Sequence, residues 1–230
     1  FVGALTGAAS SNLLSTGGTL TGDLIISEND PNLRMVDTNT NSYSQLTNSN
    51  GSLKIEADLG SGSGSSTLQF TVDNSTKMTI DATGVVTMPF QPSFLRTIAA
   101  STPQTNFALN ADIEVVVGTE VFDRNADFAN NTFTAPVEGL YQINGSVRFE
   151  QLQADATFYQ FKIVTSNRSF TYTLLGNSGS LYGDGDYVTV HLSHLFDMDA
   201  SDTVFLTVRN QGGTQATDID DVFFSGYLVC

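Results

Sequence analysis

Apolar residues in this chain alternate with polar ones, and nowhere do they recur at helical spacing for more than about two turns. Alternation of period two places one set of side chains on one face of a strand, so the chain reads as all-β. In the first half the alternating runs are short. Leu20, Leu24 and Ile26 form one, Leu33 and Met35 another, and Leu53, Ile55, Ala57 and Leu59 a third. Leu68, Phe70 and Val72 follow, then Met78 with Ile80 and Val86 with Met88. Between them lie turn formers: Gly17-Gly18, Asn29-Asp30-Pro31, Asn48–Gly51, Asp73-Asn74 and Ala82–Gly84. Gly60–Gly64 has the composition of a flexible loop tip.

Such strands must bury their apolar face against something. Residues 1–92 hold only four aromatics, Phe1, Tyr43, Phe70 and Phe90, of the 23 in the chain. That is too little large apolar surface for one copy to offset its chain entropy. We expect several chains to wrap together there and supply each other's core. Residues 93–230 carry the remaining aromatics and longer strands, over Ile113–Val117, Leu140–Phe149, Thr157–Thr165, Ser169–Leu175, Tyr187–Phe196, Thr203–Arg209 and Val222–Val229. This half reads as one compact sandwich or jelly roll. The net charge of −15 argues against duplex nucleic acid as a partner. No window approaches the roughly 18 consecutive apolar residues of a membrane-inserted helix. The lone cysteine, Cys230, excludes an internal disulfide and a cysteine-based zinc cluster. The chain opens on Phe1 rather than Met, as a processed or trimmed terminus would.

Two resemblances sharpen this reading. Leu14–Leu24 (LSTGGTLTGDL), Pro31–Thr38 (PNLRMVDT) and Met78–Val85 (MTIDATGV) resemble shaft and neck segments of bacteriophage tail fibres, loosely over residues 13–88. Phe133–Gly145 (FTAPVEGLYQING), Asp199–Leu206 (DASDTVFL) and Phe223–Val229 (FFSGYLV) resemble three blocks of the C1q/tumour-necrosis-factor superfamily, in its order. The matching residues of the first block are Phe133, Pro136, Gly139, Tyr141 and Ile143. That resemblance implies a homotrimer of jelly-roll protomers. Nothing upstream is collagen-like, which leaves a fibre shaft in that place. Together the two imply a trimeric intertwined β shaft over residues 1–92 and a C1q-like knob over 93–230. They imply a virion tail protein, extracellular when displayed, joined to other tail or baseplate proteins through its N-terminus. It would attach to a host glycan or protein receptor without catalysis. The competing readings are a virion decoration or assembly protein and a polysaccharide-cleaving tailspike.

The residues that could carry chemistry point to binding. His191 and His194 lie three apart in a strand and face opposite sides, so they cannot share one metal within a chain. No nucleophile-elbow signal supports a catalytic triad. Asp184/Asp186, Asp197/Asp199 and Asp218/Asp220/Asp221 read as turn aspartates. Alternating strand direction puts loops 151–156, 176–186 and 210–221 at one end of the knob, and 166–168 and 197–202 at the end where the chain enters. The expected receptor contacts are therefore Tyr182, Asp184, Asp186, Asn210, Gln211, Gln215, Asp218 and Asp220. Their composition suits hydrogen bonding to sugar hydroxyls or a calcium-bridged contact through Asp218, Asp220 and Asp221. No other cofactor is expected. Phe133, Tyr141, Ile143, Phe161, Leu192, Leu206, Phe224 and Leu228 are the expected core, with Gly139 and Gly226 needed for close backbone approach.

Overall fold

The computed structural model describes residues 23, 25–27, 29–60, 64–98, 102–175 and 186–229. Most of the Leu14–Leu24 motif, the Gly176–Gly185 segment and Cys230 lie outside the described residues. All regular elements among the described residues are strands, divided between two compact units at Thr87/Met88.

The first unit contains two antiparallel three-stranded sheets. One is built from β1 (Asn32–Asp37), β2 (Ser42–Ser49) and β3 (Ser52–Glu56). The other comprises β4 (Thr67–Val72), β5 (Ser75–Asp81) and β6 (Val86–Thr87). Local chemistry sets their turns. Asn50-Gly51 and Asp73-Asn74 have positive φ at both positions, the geometry of a type I′ hairpin, which small or Asn/Asp residues tolerate. Asp81 Oδ1 accepts the backbone N–H groups of Thr83 and Val85 and closes the β5–β6 turn around Gly84 at φ 87°. Cross-strand register puts Leu33, Leu46 and Ile55 in one row, with Met35 and Leu53 on the same face. Leu53 is 72% and Ile55 50% exposed, and no described residue of this unit is buried. The face is apolar and exposed in the described part of this unit.

The second unit is a two-sheet sandwich. Its strands are β7 (Ser93–Ile98), β8 (Gln104–Phe107), β9 (Ile113–Glu114), β10 (Thr119–Arg124), β11 (Phe128–Ala129), β12 (Thr132–Thr134), β13 (Gly139–Glu150), β14 (Phe158–Thr165), β15 (Ser169–Leu175), β16 (Val188–Met198), β17 (Thr203–Gln211) and β18 (Thr217–Leu228). One sheet runs β10-β7-β18-β13-β16, with β8 on β18. The other runs β11-β12-β17-β14-β15, with β9 on β17. Setting aside β8 to β11, the main strands in chain order lie 1-8-3-6 in one sheet and 2-7-4-5 in the other. First beside last and second beside seventh is the wrapping of a jelly roll.

The core lies between the sheets. Phe94 stacks on Phe133 at 4.7 Å and meets Phe224 edge-on at 4.9 Å, while Phe128 packs against both Phe94 and Phe224. Tyr141 is fully buried, and its hydroxyl donates to the carbonyl of Val137 at 2.8 Å. Phe133, Tyr141, Ile143, Phe161, Leu206 and Phe224 are buried as expected, and Leu192 and Leu228 pack partly buried against them. Gly226 lies opposite both Ile143 and Phe94. A Cβ there would come 2.6 Å from Ile143 Cδ1 and 2.8 Å from Phe94 Cε1. Gly226→Ala is therefore expected to destabilise the knob by about 1–3 kcal/mol, read as a lower urea midpoint with an unchanged slope.

Three expectations need correction. The segment 217–221, read as turn, begins β18, and Asp197, also read as turn, lies in β16 opposite Leu140. Alternating Thr-Asp-Ile-Asp has weak intrinsic strand preference, but Thr217 and Ile219 are buried and the aspartates find donors across the sheet. The run Ile113–Val117 is strand only at Ile113–Glu114. Beyond it the Val115 N–H donates to the carbonyl of Leu206 and that of Val117 to Asn131 Oδ1.

Candidate functional site

Register fixes which loops meet at each end of the sandwich. Ser93 pairs with Tyr227, and Gly139 with Met198, so the chain enters and leaves at one end. Loops 135–138, 166–168 and 199–202 gather there, joined by Ala135 N donating to Asp202 O and by Ser166 Oγ donating to Asp202 Oδ1. At the opposite end Phe158 pairs with Gln211, and Glu150 with Asp218. Loops 151–157 and 212–216 lie there, and Leu152 N donates to the carbonyl of Asp186 at 3.1 Å.

Two side chains tie these loops together. Gln153, 7% exposed, accepts at Oε1 from the N–H groups of Thr214 and Gln215, at 3.2 and 3.0 Å. Its Nε2 donates to the carbonyl of Gln215 at 2.7 Å, and its own N–H donates to the Tyr159 hydroxyl at 2.9 Å. Thr214 Oγ1 donates to Asp155 Oδ2 at 2.7 Å. A third loop is clamped by Asn110, whose Oδ1 accepts from Gln211 Nε2 and Gly212 N at 2.7 and 2.9 Å. Between the tied loops opens a cavity of about 480 Å³, walled by residues 151–155, Thr214 and Gln215.

The expected contact residues divide. Tyr182 and Asp184 lie outside the described residues. Asp186 and Gln215 are exposed at this end, and Gln211 is half-buried beside them. Asn210 is fully buried: its Nδ2 donates to Thr217 Oγ1 at 2.7 Å, while Oδ1 has no hydrogen-bond partner among the described residues. Asp218 and Asp220 are 8% and 1% exposed, so neither is an exposed turn residue. Asp218 accepts from Asn106 N at 2.7 Å and from Gln151 Nε2 at 2.9 Å. Asp220 takes a bidentate contact from Arg148, with Nε to Oδ1 at 2.6 Å and Nη2 to Oδ2. These carboxylates are turned to donors within the fold rather than toward a shared calcium position with Asp221, which is exposed at a bulge with φ 46°. Among the described residues no three His, Cys, Asp or Glu side chains gather as a metal centre. Gln151, Gln153, Asp155 and Thr214 were not singled out from the sequence. The one available signal was the placement of loop 151–156 at this end.

Glu150 adds an electrostatic feature. Burial raises its carboxyl above the ordinary glutamate range, a hydrogen bond with Asp220 and the charge of Asp220 raise it further, and Arg148 opposes them. Arg148 Nη2 contacts both carboxylates, Glu150 Oε1 at 3.2 Å and Asp220 Oδ2. A raised value in the folded state means that the native protein holds this proton more tightly. Its contribution to stability is complete below the unfolded value and lost as pH rises through the folded one. The melting temperature of Glu150→Gln relative to the parent should therefore climb from acidic to neutral pH and then level off.

The histidines part as expected. His191 is exposed on the outer face, while His194 stacks on Phe170 with centroids 4.1 Å apart.

No family model and no curated protein matches the chain. Among solved structures it is similar to the globular domain of the zebrafish complement 1qA protein, at 15% identity and TM-score 0.44, over 61% of this chain and 98% of that one. It is also similar to murine APRIL, at 10% identity and TM-score 0.42, over 60% of this chain and 99% of that one. The strand order carries the conclusion: the second unit is the all-β jelly roll that the C1q/tumour-necrosis-factor resemblance implies.

Proposed function

We propose that the chain is a subunit of a homotrimeric virion fibre, a bacteriophage tail fibre or its receptor-binding tip, that attaches to the host surface without catalysis. One observation carries the reading. The first unit exposes Leu33, Met35, Leu46, Leu53 and Ile55 on a single sheet face and none of its described residues is buried, so the described strands of a single copy are left without a core. Further copies of the same strands, wound around it, would cover that face.

The knob has a surface suited to the same assembly. On the outer side of the β13 sheet, Leu195, Gln142 and Tyr227 form one cross-strand row, and Phe122 lies opposite Leu95. Leu140, Leu195, Tyr227 and Phe122 are all exposed. Between them Gln142, Ser193 and Asn144 are hydrogen-bonded to one another, so their polar atoms could enter an interface already satisfied. An apolar patch around a satisfied polar centre is the composition of a subunit contact. The trimer would repeat the loop end three times and multiply a weak site through effective concentration.

The test is sedimentation equilibrium of the full chain at micromolar concentration, with a mass three times that of the chain expected. A monodisperse monomer overturns the reading. Immunogold labelling of purified virions should mark the tail. Label confined to the head favours a decoration protein, and new reducing ends from host polysaccharide favour a tailspike.

A further inference from the structure

We propose that the cavity between loops 151–157 and 212–216 binds an uncharged sugar ring of a surface glycan. The inference rests on the receptor-binding reading above and gives it a site and a ligand class.

Its walls are built before any ligand arrives. Gln153 is buried and spends its amide on the 212–216 loop, Thr214 is tied to Asp155, and Gln151 is held by the buried carboxylate of Asp218. Gln151 also sits at φ 56°, a conformation costly for a non-glycine residue and maintained here by those contacts. Walls fixed in advance lose little entropy on binding. The volume of about 480 Å³ lies within the range of small-molecule sites, about 300–1,000 Å³.

The lining selects the ligand. Gln151 Oε1, Asp155 Oδ1 and the side-chain amide of Gln215 make no hydrogen bond among the described residues, and all three residues are exposed. They supply two acceptors and an amide that both donates and accepts, a set that matches sugar hydroxyls, which also do both. The exposed methyl of Ala154 lies beside them and can meet the C–H face of a pyranose. Among the described residues no Lys, Arg or His lines the cavity and Asp155 is its one formal charge, so an anionic sugar would bring a second negative charge with no counter-ion among them. Asp218, expected to touch the receptor, becomes here a positioning residue for Gln151.

The experiment uses the full chain and saturation-transfer NMR with methyl glucoside, methyl galactoside and N-acetylglucosamine, against glucuronic acid and N-acetylneuraminic acid. A neutral-glycan microarray extends the panel. At least one neutral sugar should bind and neither acid should. Ala154→Trp, which fills the cavity from an exposed position, should lower affinity by more than about tenfold, and Gln215→Ala by about three- to tenfold, both at unchanged melting temperature. Equal binding of the acids, a neutral signal that survives Ala154→Trp, or no neutral glycan bound overturns the proposal. Attachment of the fluorescent chain to intact bacteria is measured in parallel. If Ala154→Trp abolishes attachment while no neutral glycan binds, the sugar class fails and the receptor face stands. If it abolishes sugar binding while attachment persists, the sugar site stands and its role as receptor contact fails.

Discussion

Replacing Phe224 by alanine is expected to cost the knob about 3–5 kcal/mol and to lower its melting temperature by on the order of 10 °C. The ring is fully buried between Phe94 and Phe128. It also sits opposite Gly145 in the neighbouring strand, where the lack of a side chain leaves room for Phe161 and Leu206. Phe94 and Gly145 belong to β7 and β13, each paired on both sides, so the site can collapse only in part, from the side of Phe128 on edge strand β11. Calorimetry of the knob transition is the measurement. An unchanged transition would mean that β18 does not present Phe224 to the core.

Asp220→Ala should cost about 2–3 kcal/mol in urea unfolding, with Asp220→Asn retaining part of the loss. The substitution strips a bidentate acceptor from Arg148 and leaves the guanidinium beside Glu150 alone. Breaking a fully buried pair costs more, about 3–5 kcal/mol, but the Arg148 side chain is 31% exposed and can recover part of its hydration. A residue standing in an exposed turn would show a loss of binding at constant stability. Asp220 should instead show a loss of stability first, so binding measured on its variants reports receptor contact only after folding has been matched.

Much of the architecture was legible from local pattern. Leu53 and Ile55 alternate because strands present alternate side chains to one face, and Asn50-Gly51 marks the hairpin before them because both turn positions need positive φ. The resemblance at Phe133–Gly145 and Phe223–Val229 pointed to Tyr141, Phe224 and Gly226, which do meet in the core or pack against it. The short strands β8, β9, β11 and β12 were harder, because two to four residues carry too few alternations to register and their pairing with β17, β18 or each other stabilises them. The start of β18 was missed for a related reason. Asp218 and Asp220 look like turn chemistry in isolation, and donors distant in the chain, Arg148, Gln151 and the Asn106 N–H, make a buried strand position tolerable for them.

The sequence by itself determined the all-β class, the hairpin turns at Asn50-Gly51, Asp73-Asn74 and Ala82–Gly84, and the contrast between an aromatic-rich half and an aromatic-poor one. Those follow from short-range rules: side-chain alternation, backbone sterics and the density of large apolar groups. Only the tertiary structure decided which polar side chains are spent holding the fold and which remain free at its surface. Arg148 and Asp220 are 72 residues apart, and Gln153 reaches a loop about 60 residues on. Whether a carboxylate or amide faces water or a donor depends on partners that only the folded sandwich brings together, and no local pattern encodes that distance.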